Sequence, residues 1–386
     1  MSAETVSGSP VAAAAPAPAA KPPRLVSLDA LRGFDMFWII GGDAFAGAFR
    51  NLNGGPVARW LGYELGHSDW AGFTFYDLIF PLFVFMIGVS ITLSLGRLIE
   101  RQGRAGAVNR IVRRTVLLFA LGIVYYGGFS RGVDQIRLLG VLQRLALCYF
   151  FASLVFVFLK PRLWFPVFAG LLVGYWALMT FVPVPGYGAG DFAERHNLAN
   201  WIDKLYLPLH QHDGDYDPEG LLSTIPAVAT CLLGLMAGRF IQDVRRAPIQ
   251  RATWLVGAGV AAILLGTLWG LQFPVIKKIW TSSFVLVAGG WSLVLLGVFY
   301  LLIDVWNRKT WALPFVWIGT NALTIYLLSH FIDFGHLSAA LAGGPIAAAF
   351  DSLVGGLGGV VLAFLGVGLC TLICRFLYQR SVFLRL

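Results

Sequence analysis

The sequence predicts an all-α integral membrane protein of about ten transmembrane helices with both termini in the cytoplasm, and three observations carry that fold class. Of 386 residues, 58% are hydrophobic and 13% charged, with a mean hydropathy of +0.73, which leaves too little polar surface for a soluble chain of this size. Apolar runs of about eighteen residues or more recur along nearly the whole chain, each able to cross roughly 30 Å of hydrocarbon as a helix. Finally, Lys and Arg cluster in alternate connectors, the pattern that orients helices in a bilayer. That pattern accounts for the formal charge of +9, so nucleic-acid binding is set aside.

Residues 1–23, rich in Ala and Pro with no basic start and no apolar core of signal-peptide type, are expected to be a disordered cytoplasmic tail. Residues 24–386 read as one polytopic domain. Its spans are expected at about 30–50, 73–96, 112–129, 137–159, 163–183, 220–241, 252–273, 280–304, 313–333 and 353–377. The connector 97–114 carries Arg97, Arg101, Arg104, Arg110, Arg113 and Arg114, and 239–251 carries Arg239, Arg245, Arg246 and Arg251, which places both in the cytoplasm. The opposite connectors, 51–72, 130–136, 184–219, 274–279 and 334–352, hold fewer bases or balance them with acids and so face outward. Cys148, Cys231, Cys370 and Cys374 fall inside spans, as small apolar fillers.

The longest outer connector ends in Tyr216-Asp217-Pro218-Glu219-Gly220, where Asp217 reads as a helix N-cap, Pro218 as the first helical residue and Glu219 as a first-turn acid. His210 and His212 stand two apart in the same connector, without the spacing of a zinc site, and no metal is expected. There is no Gly-rich phosphate loop, no Cys-x-x-Cys and no Gly-x-Ser-x-Gly elbow.

Charges stand where a membrane disfavours them. In the first span Asp29, Arg32, Asp35 and Asp43 fall in one stripe about 120° wide over roughly 21 Å of helix rise, which predicts one wall of a wet tunnel. Arg144, near the outer end of the fourth span, needs an anion; Asp77 is one candidate, and a bound phosphate or thioester carbonyl another. Asn321, Thr324 and His330 in the ninth span and Trp280, Thr281 and Ser283 at the mouth of the eighth add polar groups that either join helices or meet a ligand.

His67 lies just outside the second span, with Asp77 a turn or two inside it. An imidazole at a membrane mouth is either an interfacial anchor or a general base able to take a proton near neutral pH.

Ser27-Leu28-Asp29-Ala30-Leu31-Arg32-Gly33, the run from His67 to Trp70 followed by Asp77-Leu78-Ile79-Phe80-Pro81, Gly140-Val141-Leu142-Gln143-Arg144-Leu145, the Tyr216 to Gly220 motif, and Asn321 with His330 occur here in one order. In that order the chain resembles the heparan-α-glucosaminide N-acetyltransferase family, including bacterial members of its transmembrane acyltransferase group. The resemblance implies a multi-pass enzyme of the bacterial inner membrane, working as a homodimer, that moves the acetyl group of cytoplasmic acetyl-CoA to the amine of an external glucosamine-type sugar. It places the family's essential histidine at His67. A family asparagine that supports this histidine is replaced by Asp43, eleven residues after Arg32, and no counterpart of the large luminal region of the lysosomal enzyme is expected.

On this basis His67, Asp43 and Asp77 are the expected catalytic residues, with Asp43 orienting the imidazole or holding an ammonium. Asn321, His330, Trp280, Ser283 and Glu219 are expected to face the acceptor, and Arg144, Arg32, Arg114 and Arg239 to hold acetyl-CoA, a co-substrate. Free N–H groups near Phe73 and Thr74 are expected to receive the developing oxyanion. An amino-sugar transporter using the polar stripe as its path, and an O-acetyltransferase of envelope glycans, remain as alternatives.

Overall fold

The computed structural model describes residues 25–130 and 132–384, and within them the chain is helical, with two isolated β-bridges. The expected tail at 1–23 and both chain ends lie outside the described residues. The α-helices are α1 Val26–Asn51, α2 Gly55–Glu64, α3 Ile79–Tyr125, α4 Val141–Phe158, α5 Trp164–Phe181, α6 Leu198–Tyr206, α7 Thr224–Ile241, α8 Pro248–Trp269, α9 Ser282–Phe299, α10 Leu313–Thr320, α11 Ala322–Phe331, α12 Phe334–Ala342, α13 Pro345–Asp351 and α14 Leu357–Gln379.

Seven helical segments among the described residues are long and apolar enough to cross a membrane, or eight if α10 and α11, bent by 67° at Asn321, count as one broken span. Each of the ten expected spans has a helix or a pair of helices in its place. The second and third belong to α3, which breaks at Gly103 (φ 70°, ψ −178°), a left-handed backbone that glycine adopts without Cβ strain. Ser90 and Ser94 before the break line the same cavity as Arg110 and Arg114 after it, so the chain folds back there.

Helices α3, α4, α7 and α9 form the centre, with α1 and α10 packed beside them. Burial separates centre from rim: 72% of the apolar window of α7 is buried, against 22% for α8. Close crossings depend on small residues. A Cβ at Gly33 or Gly319 would run into the backbone of the opposite helix where α1 meets α10, and Gly88 and Gly234 do the same for α3 against α7. The first N–H groups of α1 are satisfied from a distance, since Val26 N and Ser27 N donate to the Asp304 carboxylate at 3.3 and 3.1 Å.

Several expectations are corrected. The connectors 51–72, 184–219 and 334–352 hold short helices, α2, α6, and α12 with α13. Asp217 does not cap α7, which starts at Thr224 after Ser223; instead Asp217 Oδ1 accepts from Glu219 N at 3.0 Å and closes a local turn. The stripe on α1 divides: Asp29 and Arg32 line the cavity, Asp35 is fully buried away from it, and Asp43 is exposed.

Candidate active site

The chain between α2 and α3 is shaped by a capping box. Thr74 is the N-cap of a 3-10 turn, Phe75–Leu78, that leads into α3; its N–H donates to Asp77 Oδ2 at 3.2 Å and its hydroxyl reaches Gly66 O at 2.7 Å. Asp77 therefore belongs to the first helical turn, where the free N–H groups and the helix dipole favour a carboxylate. Ser68 adds its N–H (3.2 Å) and hydroxyl (2.7 Å) to the same oxygen. One fully buried carboxylate thus gathers the loop, the cap and the helix start.

Its other oxygen faces the histidine. His67 Nδ1 lies 2.9 Å from Asp77 Oδ1, and the imidazole stacks on the Tyr76 ring at 4.6 Å between centroids. The His67 side chain is 53% exposed, so a molecule arriving at this end can touch the ring.

A third group reaches the pair from the connector between α8 and α9. Gly72 N donates to Val275 O at 2.9 Å and Ala71 bridges to Ile276, which ties the two loops together. Lys277 Nζ then stands 2.9 Å from His67 Nδ1 and 3.3 Å from Asp77 Oδ1. Burial pushes the Lys277 ammonium below its usual range, and the Asp77 carboxylate opposes that fall. The turn that presents Lys277 is closed by Trp280 N donating to Lys277 O at 2.9 Å, with Trp280 at φ +51°, a conformation costing a bulky residue on the order of 1 kcal/mol. Burial of the indole and its hydrogen bond to Thr230 Oγ1 at 3.1 Å hold it there.

A cavity of about 400 Å³ opens on the arginine-bearing side, lined among others by Asp29, Arg32, Arg110, Arg114, Tyr149 and Phe80. It does not reach His67. Phe80, in the first turn of α3 and four residues beyond Tyr76, is among its lining residues. Phe80 meets Trp280 edge to face at 5.2 Å, and the Arg144 guanidinium covers the other part of that indole at 5.0 Å. The open wet passage expected from arginines to imidazole is therefore interrupted by an apolar layer.

The expected site residues divide accordingly. His67 and Asp77 come together. Asp43 has no hydrogen bond or ion pair with His67 among the described residues, and Asp77 holds the orienting position instead. Arg144 does not pair with Asp77; it donates to Gly220 O at 3.1 Å and Ser223 Oγ at 2.5 Å. Arg32 and Arg114 line the cavity, whereas Arg144 and Arg239 do not. Trp280 is part of the closing layer, and Ser283 fastens the connector by donating to Phe273 O at 2.6 Å. Glu219 is buried against Arg137 at 2.5 Å, and the same guanidinium holds Asp217 at 2.6 Å, so the pair anchors this loop. Asn321 sits at the α10–α11 break with its amide on Trp317 O, and His330 lies against Tyr125, both away from His67. The N–H of Thr74 is engaged by Asp77, and that of Phe75 by Glu64 at 2.9 Å, which removes Thr74 as an oxyanion donor.

Lys277 and Arg137 were not anticipated. The legible signal was position: Lys277 stands in the outer connector 274–279, where the orientation rule leaves few bases, and Arg137 is the first residue of the fourth expected span; each pairs with a buried acid. Among the described residues no three His, Cys, Asp or Glu side chains converge as a metal centre would require.

Residues 24–131 match a family described as a domain of unknown function, DUF5009. The heparan-alpha-glucosaminide N-acetyltransferase of Homo sapiens is 30% identical over 80% of this chain and 53% of its own length. The protein of the same name from Mus musculus is 29% identical over 79% of this chain and 53% of its own. The chain thus spans about half the length of the curated relatives it matches.

Proposed function

From its similarity to the heparan-alpha-glucosaminide N-acetyltransferases, we propose that the chain is a multi-pass enzyme of the bacterial inner membrane that carries the acetyl group of cytoplasmic acetyl-CoA to the amine of an external glucosamine-type sugar. The observation that carries this reading is the exposed His67 imidazole held against the buried Asp77 carboxylate at 2.9 Å. An interfacial anchor has no need of a carboxylate fixed by five separate contacts.

The residues divide the work as the chemistry demands. An ammonium must lose a proton before its nitrogen can attack a thioester carbonyl. With Nδ1–H donating to Asp77, Nε2 carries the lone pair that takes this proton, and Asp77 stabilises the imidazolium that results. The new C–N bond forms as the C–S bond breaks, the leaving thiolate is protonated by the imidazolium, and the surplus proton on the acylated nitrogen passes to the imidazole so freed and on to solvent. A relay through acetyl-imidazole uses the same residues.

The cavity supports the other half of the reaction. Arg110 is exposed at its mouth, and Arg114 lies over the Tyr149 ring at 4.6 Å with Nε lacking a hydrogen-bond partner among the described residues. Arg110, Arg114 and Arg32 suit the phosphates of CoA, and the space between there and Phe80 suits a slender arm carrying the thioester. On this reading the Phe80–Trp280 layer opens when that arm is seated, and otherwise keeps water from the thioester.

The test is to add acetyl-CoA and glucosamine to purified protein and follow free thiol and acetylated sugar. Glucosamine-dependent release that is lost in His67→Ala is the expected result. Equal release in both proteins would remove His67 from the chemistry, and none in either would end the transferase reading.

A further inference from the structure

A carboxylate beside an imidazole cuts two ways. It orients the ring, but it also favours the protonated form, and a protonated imidazole accepts nothing. In this site the carboxylate is not left to His67 alone. Lys277 Nζ is 3.3 Å from Asp77 Oδ1, the same oxygen that faces Nδ1.

The position of Nζ relative to the ring is specific. It lies 2.9 Å from Nδ1 and 3.4 Å from Nε2. The lone pairs of the two ring nitrogens point apart in the ring plane, so an atom on one of them is far from the other nitrogen. Nζ, close to both, must lie over a face of the ring and not on a lone pair. Nδ1 is then free to donate to Asp77 while Nε2 stays open, and the ammonium acts on the ring through its charge.

We infer that Lys277 is a positioning residue that keeps His67 an unprotonated base beside Asp77, by neutralising that carboxylate and placing a positive charge against the ring. The charged and titratable groups facing this pair are few. Asp77 and Tyr76 come from the start of α3, Lys277 from the connector before α9, and Asp43 on α1 and Glu219 before α7 act on Lys277 through space. Among the described residues no other base contacts His67: Lys278, the neighbour in sequence, turns away to Asp213 at 2.9 Å. The inference deepens the proposed acetyl transfer and rests on that reading for its consequence, though the charge effect can be measured without turnover.

The experiment labels the full-length protein with diethyl pyrocarbonate, which reacts with the neutral and not the protonated form of an imidazole, and follows the modified His67 side chain by mass spectrometry across pH. Wild type is compared with Lys277→Met, Lys277→Gln and Lys277→Arg. Removing the charge should raise the labelling midpoint of His67 by about one pH unit in both neutral variants, and arginine should hold it near wild type. An unmoved midpoint in whichever neutral variant folds overturns the inference. Glucosamine-dependent thiol release, measured in parallel, separates the two claims. If the midpoint moves without any release, the charge effect stands and the transferase reading falls. If release occurs with an unmoved midpoint, the reverse holds.

Discussion

The rings of Phe80 and Trp280 meet edge to face, 5.2 Å apart at 84°, and the contact joins a residue that lines the cavity to the turn that presents Lys277 to the imidazole. On the proposed reading, a pocket for an activated acyl group and a base for an amine stand on opposite sides of that contact. The separation has a chemical sense, because a thioester behind these rings would be shielded from the water and amines of the histidine side until they part.

Phe80→Ala should breach that layer. Thiol release from acetyl-CoA in the absence of any amine is expected to rise several-fold, while release driven by glucosamine changes less. A variant that leaks no more than wild type would mean the layer is not the barrier.

Asp77→Asn keeps the shape of the side chain but not its charge or its acceptor pair. Loss of the orienting carboxylate in an Asp–His pair should lower kcat by roughly 10²–10⁴, with a smaller change in KM. Asp77→Ala also removes the capping box and is expected to lose about 1 kcal/mol of stability in addition, seen as a lower melting temperature in detergent.

Arg114→Ala should raise KM for acetyl-CoA about tenfold, the effect of losing a charge-assisted phosphate contact, and the loss should deepen with salt. Arg239→Ala, outside the cavity, should leave KM unchanged. Equal effects of the two would place the CoA phosphates elsewhere.

Arg137 joins Asp217 at 2.6 Å and Glu219 at 2.5 Å in a buried cluster. Burial opposes all three charges. The Arg137 guanidinium nonetheless holds Asp217 below the usual carboxylate range, while burial pushes Glu219 above it. Arg137→Met strands two carboxylates and should destabilise the protein by about 3–5 kcal/mol, measured by thermal unfolding. Arg137→Lys should rescue it only in part, since an ammonium lacks the fork that reaches both acids.

Asp203, buried on α6 against the turn before α7, is pushed by burial up to about 6, against the hydrogen bond from Leu221 N at 2.8 Å. The folded value exceeds the unfolded one, so the protonated form is favoured on folding. Its contribution to stability is therefore full below about pH 4 and is lost as pH rises through about 6. Asp203→Asn should remove that slope and leave the protein on the order of 2–3 kcal/mol more stable at pH 7. A variant whose melting temperature still falls between pH 4 and 6 as wild type does would assign the slope to another group.

What was legible in the sequence follows from local physics. Apolar length located helices at all ten expected spans, because a backbone in hydrocarbon must satisfy its own hydrogen bonds and a helix does so with nearby residues. His67 and Asp77, ten residues apart with a helix start between them, were close enough along the chain for their partnership to be within reach. The same local view failed where partners come from far away. Lys277 lies 210 residues from His67, and Arg137 is 80 residues from Asp217, and no periodicity links such positions. Intramembrane charge was readable as polar residues in apolar runs, yet a stripe on one helix says nothing about what packs against it. Only the packing of α1 against its neighbours could leave Asp29 and Arg32 in a cavity, bury Asp35 and expose Asp43. Composition and spacing determined the helices and singled out His67; which charges meet, and which of them line the cavity, were decided by tertiary contacts, because ion pairing depends on distance in space and not along the chain.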